Sequence, residues 1–231
     1  VFNTGCEVTF KLHQTLPDKE VPWLQAKGLR HIIEPGFNYA YVPSPNRLPT
    51  TLPQFDGEQA SLRLLPIDFP DYDAIDSVDS QNVLRLSLRN TVQTKRNGQV
   101  DNLLRWALYT DWRLAPRAGQ GTFSDGFSDL EFKPRDWLTL SSQTRYNFDS
   151  GHWRIADHRA TFTPGSDWSM QLGHRYVRTD PTFLAGPGNN LITTSFHYRV
   201  NENYALRTRH FFEARNGRME EQSYSLYRDF R

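Results

Sequence analysis

The sequence predicts an all-β chain: an antiparallel transmembrane β-barrel segment of about eleven strands, part of a larger outer-membrane barrel. Three observations carry that expectation. From about Asn82 onward, segments close to ten residues long alternate apolar and polar, whereas a strand in a soluble domain runs about five or six residues and one crossing a bilayer at a tilt needs about nine to eleven. Leu, Trp and Phe collect on one face of these segments and charge collects on the other. The connections also sort into short turns at one end and long excursions at the other, as the two rims of such a barrel do.

Taken in order, Cys6, Val8, Phe10 and Leu12 alternate with Glu7, Thr9, Lys11 and His13. Next, Leu29 to Tyr41 sets Ile33, Pro35, Phe37, Tyr39 and Tyr41 against Arg30, Glu34 and Asn38. The third strand sets Leu84, Leu86, Leu88 and Val92 against Arg85, Ser87, Arg89, Thr91 and Gln93. The fourth sets Asn102, Leu104, Trp106, Leu108, Thr110, Trp112 and Leu114 against Leu103, Arg105, Ala107, Tyr109, Asp111 and Arg113. A short strand at Leu130–Phe132 leads to Leu138–Phe148, Ala156–Phe162 and Trp168–Tyr176. Thr194–Val200, Tyr204–Phe212 and Tyr224–Phe230 complete the set.

Asn97-Gly98, Pro134-Arg135-Asp136, Pro164 to Asp167 and Asn201-Glu202-Asn203 carry tight-turn chemistry. Counting strands puts all of them at one end. Val42–Ser80, Ala115–Phe127 and Arg178–Asn189 are long connections at the other end, which also has two short ones, Ser150-Gly151-His152 and Asn216-Gly217. The Thr15–Gly28 connection is long yet falls at the short-turn end, against the pattern. Trp137, Trp168 and Tyr204 each follow a tight turn directly. They are expected to form a girdle at the membrane–water interface, although large aromatics also favour strands in general.

Composition narrows the class. The 231 residues have a net charge of +1 and a mean hydropathy of -0.68. No stretch approaches the 18 or so consecutive apolar residues of a membrane helix. A barrel tolerates this, because half of each strand faces a polar lumen. The aromatic content of 13% suits interfacial girdles, and the near-neutral charge gives no argument for nucleic acid. The single cysteine, Cys6, cannot form an internal disulfide. Nothing at the N-terminus resembles a signal peptide, so the chain is expected to be an interior piece of a longer processed protein.

Two segments go further. Leu29-Arg30-His31-Ile32-Ile33-Glu34-Pro35 runs through Phe37-Asn38-Tyr39-Ala40-Tyr41-Val42-Pro43 into a Pro-rich loop. An acidic loop with Asp73, Asp76 and Asp79 then leads into Asn82-Val83-Leu84-Arg85-Leu86-Ser87-Leu88-Arg89-Asn90 and Gln93-Thr94-Lys95-Arg96. This order resembles the C-terminal barrel region of the LPS-assembly outer-membrane protein LptD, the organic-solvent-tolerance family. The resemblance is specific over Leu29–Arg96 and architectural beyond it. Ser87 stands where that family usually has glycine, and Val83 where Arg is commoner. The family's paired cysteines are absent, and Cys6 is not a positional match for them.

The resemblance implies a barrel in the Gram-negative outer membrane that takes up lipopolysaccharide (LPS) and inserts it into the outer leaflet. It also implies an LptE-like lipoprotein plug and an LptA-like periplasmic bridge as partners, besides outer-membrane lipid. Residues 1–231 would then be one piece of the C-terminal part of that barrel, with no second domain. The rival readings are a general porin or usher-like barrel moving solutes or protein, and a soluble all-β binding domain. A porin has no reason to reproduce Leu29–Arg96.

The polar faces carry Arg85, Arg89, Arg105, Arg113, Arg145, Arg159, Arg175, Arg199, Arg207 and Arg209, with Glu34, Asp101, Asp111, Asp149 and Asp157 among them. Arg85, Arg89, Arg105, Arg145, Arg175, Arg207 and Arg209 are the candidates for contact with LPS phosphate or a plug, since guanidinium pairs phosphate in bidentate fashion. The competing reading is a lattice of cross-strand charge pairs bracing the wall. Asp68, Asp71, Asp73, Asp76 and Asp79 crowd one loop but match no EF-hand spacing, so a solvated loop is expected. The seven histidines form no HxxxH or HExxH pair and join no cysteine cluster, so neither a zinc site nor a cofactor is expected. His158, His174 and His210 fall on the apolar face and are expected to be neutral or near an interface. No nucleophile elbow or phosphate loop is present, so no enzyme activity is expected.

Overall fold

The computed structural model describes residues 4–44, 80–116, 119–179 and 187–229. The strands are β1 (Thr4–Thr9), β2 (Leu12–Val21), β3 (Ala26–Val42), β4 (Gln81–Arg96), β5 (Gln99–Arg113) and β6 (Gly126–Arg135). They continue as β7 (Leu138–Asn147), β8 (His152–Phe162), β9 (Trp168–Val177), β10 (Asn189–Arg199), β11 (Tyr204–Glu213) and β12 (Arg218–Arg228). All pair antiparallel in a single sheet that meanders in sequence order from β3 to β12. No described helix is long and apolar enough to cross a membrane.

β1 and β2 are one strand interrupted by a proline. Both pair with β3, and one register holds from Thr4↔Tyr41 through Thr9↔Gly36 to Leu12↔Ile33. The break falls where Phe10 meets Pro35. The Phe10 N–H donates to the Pro35 carbonyl at 3.0 Å, but proline has no N–H to complete the pair. Eleven continuous strands in the sequence thus become twelve segments.

The long connection expected between Thr15 and Gly28 does not exist. β2 continues to Val21, and a single 3-10 turn, Pro22–Leu24, returns the chain into β3. Apolar–polar alternation missed it because Pro17 and a register shift between Leu16 and Glu20 break the period. Every connection at that rim is therefore short. Asn97 and Gly98 both have positive φ, at 50° and 78°, the conformation a two-residue hairpin of primed type requires.

The register confirms the two faces. Leu88 stands opposite Pro35 and Leu108, while Arg85 stands opposite Asn38 and Asp111. Two residues change sides. β4 and β5 shift register between Val92 and Gln93, leaving Leu103 unpaired as a bulge. A bulge reverses alternation beyond it. Asn102 accordingly faces Gln93 on the polar side, and Asp101 faces Thr94 on the apolar side, the reverse of the simple alternation.

Ile32, Ala40, Val42, Phe127, Ile155 and Val177 are buried and lie on the polar face, while exposed Leu12, Phe37, Trp106, Leu172 and Phe196 lie on the other. Side chains converge on the concave side of a curved sheet and splay on the convex side. The charged face is thus the inner one.

Candidate functional site

The polar face divides according to how its charges are partnered. Arg85 holds Asp111 in a two-point pair, Nε to Oδ1 at 2.8 Å and Nη2 to Oδ2 at 3.2 Å. Arg105 reaches Glu131 at 3.3 Å, Lys11 reaches Glu34 at 3.5 Å, and Arg159 reaches Asp157 at 3.5 Å. The first three of these pairs brace neighbouring strands, and Arg159–Asp157 runs along β8 itself. By contrast, Arg89, Arg175 and Arg209 form no ion pair among the described residues, and Arg207 lies over the Tyr227 ring at 5.7 Å.

Arg145 belongs to a tighter group. It pairs through Nε with Asp125, whose side chain is only 3% exposed and also accepts from Asn147 Nδ2 at 2.7 Å and Arg154 Nη1 at 2.9 Å. Arg154 is a bulge residue: β7 and β8 shift register where it stands, between Trp153 and Ile155. The bulge aims its guanidinium to the side of Arg145. A single buried carboxylate thereby pins β6, β7 and β8 together at the long-loop end. Neither Asp125 nor Arg154 followed from alternation, because one precedes its strand and the other breaks the period.

At the opposite rim a second buried arginine collects carbonyls. Arg96 pairs with Asp101 at 2.9 Å, and its Nη2 faces the carbonyl oxygens of Leu24, Lys133 and Pro134 at 2.8, 2.6 and 3.0 Å. The ladder is irregular on all sides here: Gly28 in the left-handed region at φ 66°, the Leu103 bulge, and a shift between Phe132 and Arg135. Irregular pairing leaves carbonyls off the ladder, and a guanidinium satisfies several at once. Leu24 packs with Ala26 and Leu103 against Leu29, Val92 and Phe132. The Pro22–Leu24 turn is therefore a strap laid over the apolar face, crossing the ends of β4 and β5 to reach β6. Arg96 is the last residue of the Gln93–Arg96 segment singled out from the sequence.

Aromatics line both rims of the apolar face. At the short-turn rim Trp137 stacks on Phe162, ring centroids 6.3 Å apart, and Trp168 packs beside Phe196 at 6.3 Å. Tyr204 lies under Arg228 at 5.5 Å, and Trp23 on the strap is exposed. At the long-loop rim Trp112, Phe123, Phe148, Tyr146 and Trp153 form a chain of ring contacts 4.9–6.4 Å apart. The strand from Trp137 to Tyr146 is about 30 Å long at 3.3 Å per residue. Tilted as barrel strands are, it spans about 21–25 Å, the height of an outer-membrane apolar band.

Several polar groups on that face find partners within the sheet. His158 and His174 stack at 6.3 Å with rings 11° from parallel. His158 Nδ1 meets Ser142 Oγ at 2.9 Å, and His174 Nε2 meets Asn190 Oδ1 at 2.6 Å. Trp106 Nε1 donates to Ser128 Oγ at 3.0 Å. Among the described residues no group of three His, Cys, Asp or Glu could hold a metal ion. The acidic loop from Asp68 to Asp79 lies outside the described residues.

Long antiparallel strands, a charged inner face and an apolar outer face banded by aromatics define the wall of an outer-membrane β-barrel. A family model described as LptD, LPS transport system D, matches residues 8–204. The chain belongs to the LptD family, and so to the machinery that transports and assembles LPS at the outer membrane. No curated protein matches it.

Proposed function

We propose that residues 1–231 form one continuous part of the C-terminal wall of a barrel translocon that inserts LPS into the outer leaflet. The observation that supports this reading is the division of faces. Arg85, Arg89, Arg105, Arg145, Arg175, Arg207 and Arg209 share the side opposite the aromatic-banded one, as a wall between lipid and a polar conduit requires. The outer edges of β1–β2 and of β12 pair with no described strand. Unpaired edges in hydrocarbon are strongly unfavourable, so further strands close the wall.

In this scheme LPS arrives from an LptA-like periplasmic bridge at the short-turn rim, and an LptE-like lipoprotein occupies the lumen. The chain does no bond chemistry. Its contribution is a hydrated, charged surface for the headgroup beside an apolar surface for the membrane. The test is depletion of the full-length protein, followed by measurement of LPS at the cell surface. Loss of surface LPS is the expected result, and normal surface LPS with the barrel depleted overturns the reading.

A further inference from the structure

The inner-face charges are segregated along the sheet. β4 to β8 mix both signs: Asp111, Asp129, Glu131 and Asp157 stand among the arginines. β9, β10 and β11 together contain a single carboxylate, Glu213. That group sits at the long-loop rim, where it accepts the backbone N–H groups of Asn190 and Arg215. Glu221 on β12 stands opposite Phe211 and forms no ion pair with the arginines of β9–β11 among the described residues.

The cations on these three strands form a ladder. Arg199 lies level with Ala205 near the short turns, then Arg207 with His197, Arg209 with Ser195, and the ladder ends at Arg175, which stands between Asp157 of β8 and the Leu191–Glu213 level. From Ala205 to Glu213 the ladder covers about 26 Å of strand at 3.3 Å per residue, most of the membrane crossing. Between its upper rungs the surface carries the hydroxyls of Thr193 and Ser195. Thr193 faces Gly173, where an added Cβ would stand 2.4 Å from the Thr193 hydroxyl. His197 Nδ1 is buried without a hydrogen-bond partner.

Resting on the translocon reading above, we propose that the inner face of β9–β11 is the track for the phosphorylated saccharide headgroup of LPS, and that the inner face of β4–β8 is bracing. Arg199, Arg207 and Arg209, with no carboxylate opposite them across β10, β11 and β12, are guanidinium groups spaced along a path, and they suit an anion passing from one to the next. Guanidinium groups already held by carboxylates do not, and on β4–β8 that is the state of Arg85, Arg105, Arg145, Arg154 and Arg159, with Arg89 an exception. Hydroxyls between the rungs, those of Thr193 and Ser195, match sugar hydroxyls.

The test uses the full-length protein in its membrane, with a photo-crosslinking residue at Ser195 on the track or at Ser141 on β7. The expected result is an LPS adduct about tenfold stronger at Ser195, the factor that one or two charge-assisted contacts supply. Equal adducts, or an adduct at Ser195 to protein alone, overturn the track. Arg207→Gln combined with Arg209→Gln should weaken the Ser195 adduct with the barrel level unchanged. An undiminished adduct overturns the proposal. A second readout needs no arginine variant: the purified Ser195-probe protein is irradiated with LPS or with dephosphorylated LPS. Weaker labelling of the dephosphorylated form is expected, and equal labelling overturns the phosphate chemistry. Loss of surface LPS on depletion, with no preference for Ser195, overturns the track alone and leaves the translocon reading standing.

Discussion

Arg85 and Asp111 face each other across β4 and β5 and meet at two points, Nε–Oδ1 at 2.8 Å and Nη2–Oδ2 at 3.2 Å. Both side chains are more than four-fifths buried, so the pair is shielded from the screening that makes surface pairs weak. Arg85→Gln or Asp111→Asn is expected to cost about 1.5–3 kcal/mol each. The double variant should recover part of the loss, read as coupling in urea unfolding of the membrane-inserted protein. Strictly additive losses would show that the two groups act independently.

The facing of β5 is testable at neighbouring residues. Leu108 stands opposite Leu88 and Ser128 on the outer face, and Ala107 opposite Arg89 and Asp129 on the inner one. Leu108→Arg should cost about 2–4 kcal/mol at mid-bilayer and reduce the assembled, heat-modifiable fraction. Ala107→Arg gains a nearby carboxylate and should assemble close to normally. Equal impairment would contradict the assignment of faces.

Arg96 has a sharper requirement than charge. Arg96→Lys keeps the cation but loses the fork that reaches Asp101 and three carbonyls together. It is expected to destabilise nearly as much as Arg96→Met, by about 2–4 kcal/mol, since buried carbonyls are left unpaired. Both variants should expose the Pro22–Gln25 strap to protease from the short-turn side. Full rescue by lysine would mean that the strap depends on charge alone.

For the girdle, depth is the discriminating measurement. With Trp137 or Trp168 as the sole tryptophan, lipids brominated near the headgroup should quench fluorescence more than lipids brominated at the chain ends. The same holds for Trp153 at the opposite rim. Stronger quenching from the chain ends would remove these residues from the interface.

Much of this architecture was legible because a membrane wall imposes one rule on every strand. Alternation placed Arg85, Arg89, Arg105, Arg145, Arg175, Arg207 and Arg209 on one face, and the register agrees at each position. Asn97-Gly98 announced its hairpin because so few residues tolerate two successive positive φ angles. Where the period breaks, the reading failed. Asp101 and Asn102 changed sides at the Leu103 bulge, β2 was lost from Thr15 onward, and Arg154 and Asp125 were not identified as a pair.

The amino-acid sequence by itself determined the two-faced strands, the short-turn rim and the family, because period, turn chemistry and the Leu29–Arg96 segment are local properties of the chain. Only the tertiary structure decided which arginines are held by carboxylates and which are not. Partnership across strands depends on register, and register turns on single inserted residues such as Leu103 and Arg154. The same dependence makes Arg96 a rim clamp, since the carbonyls it holds come from two other hairpins brought together by the fold.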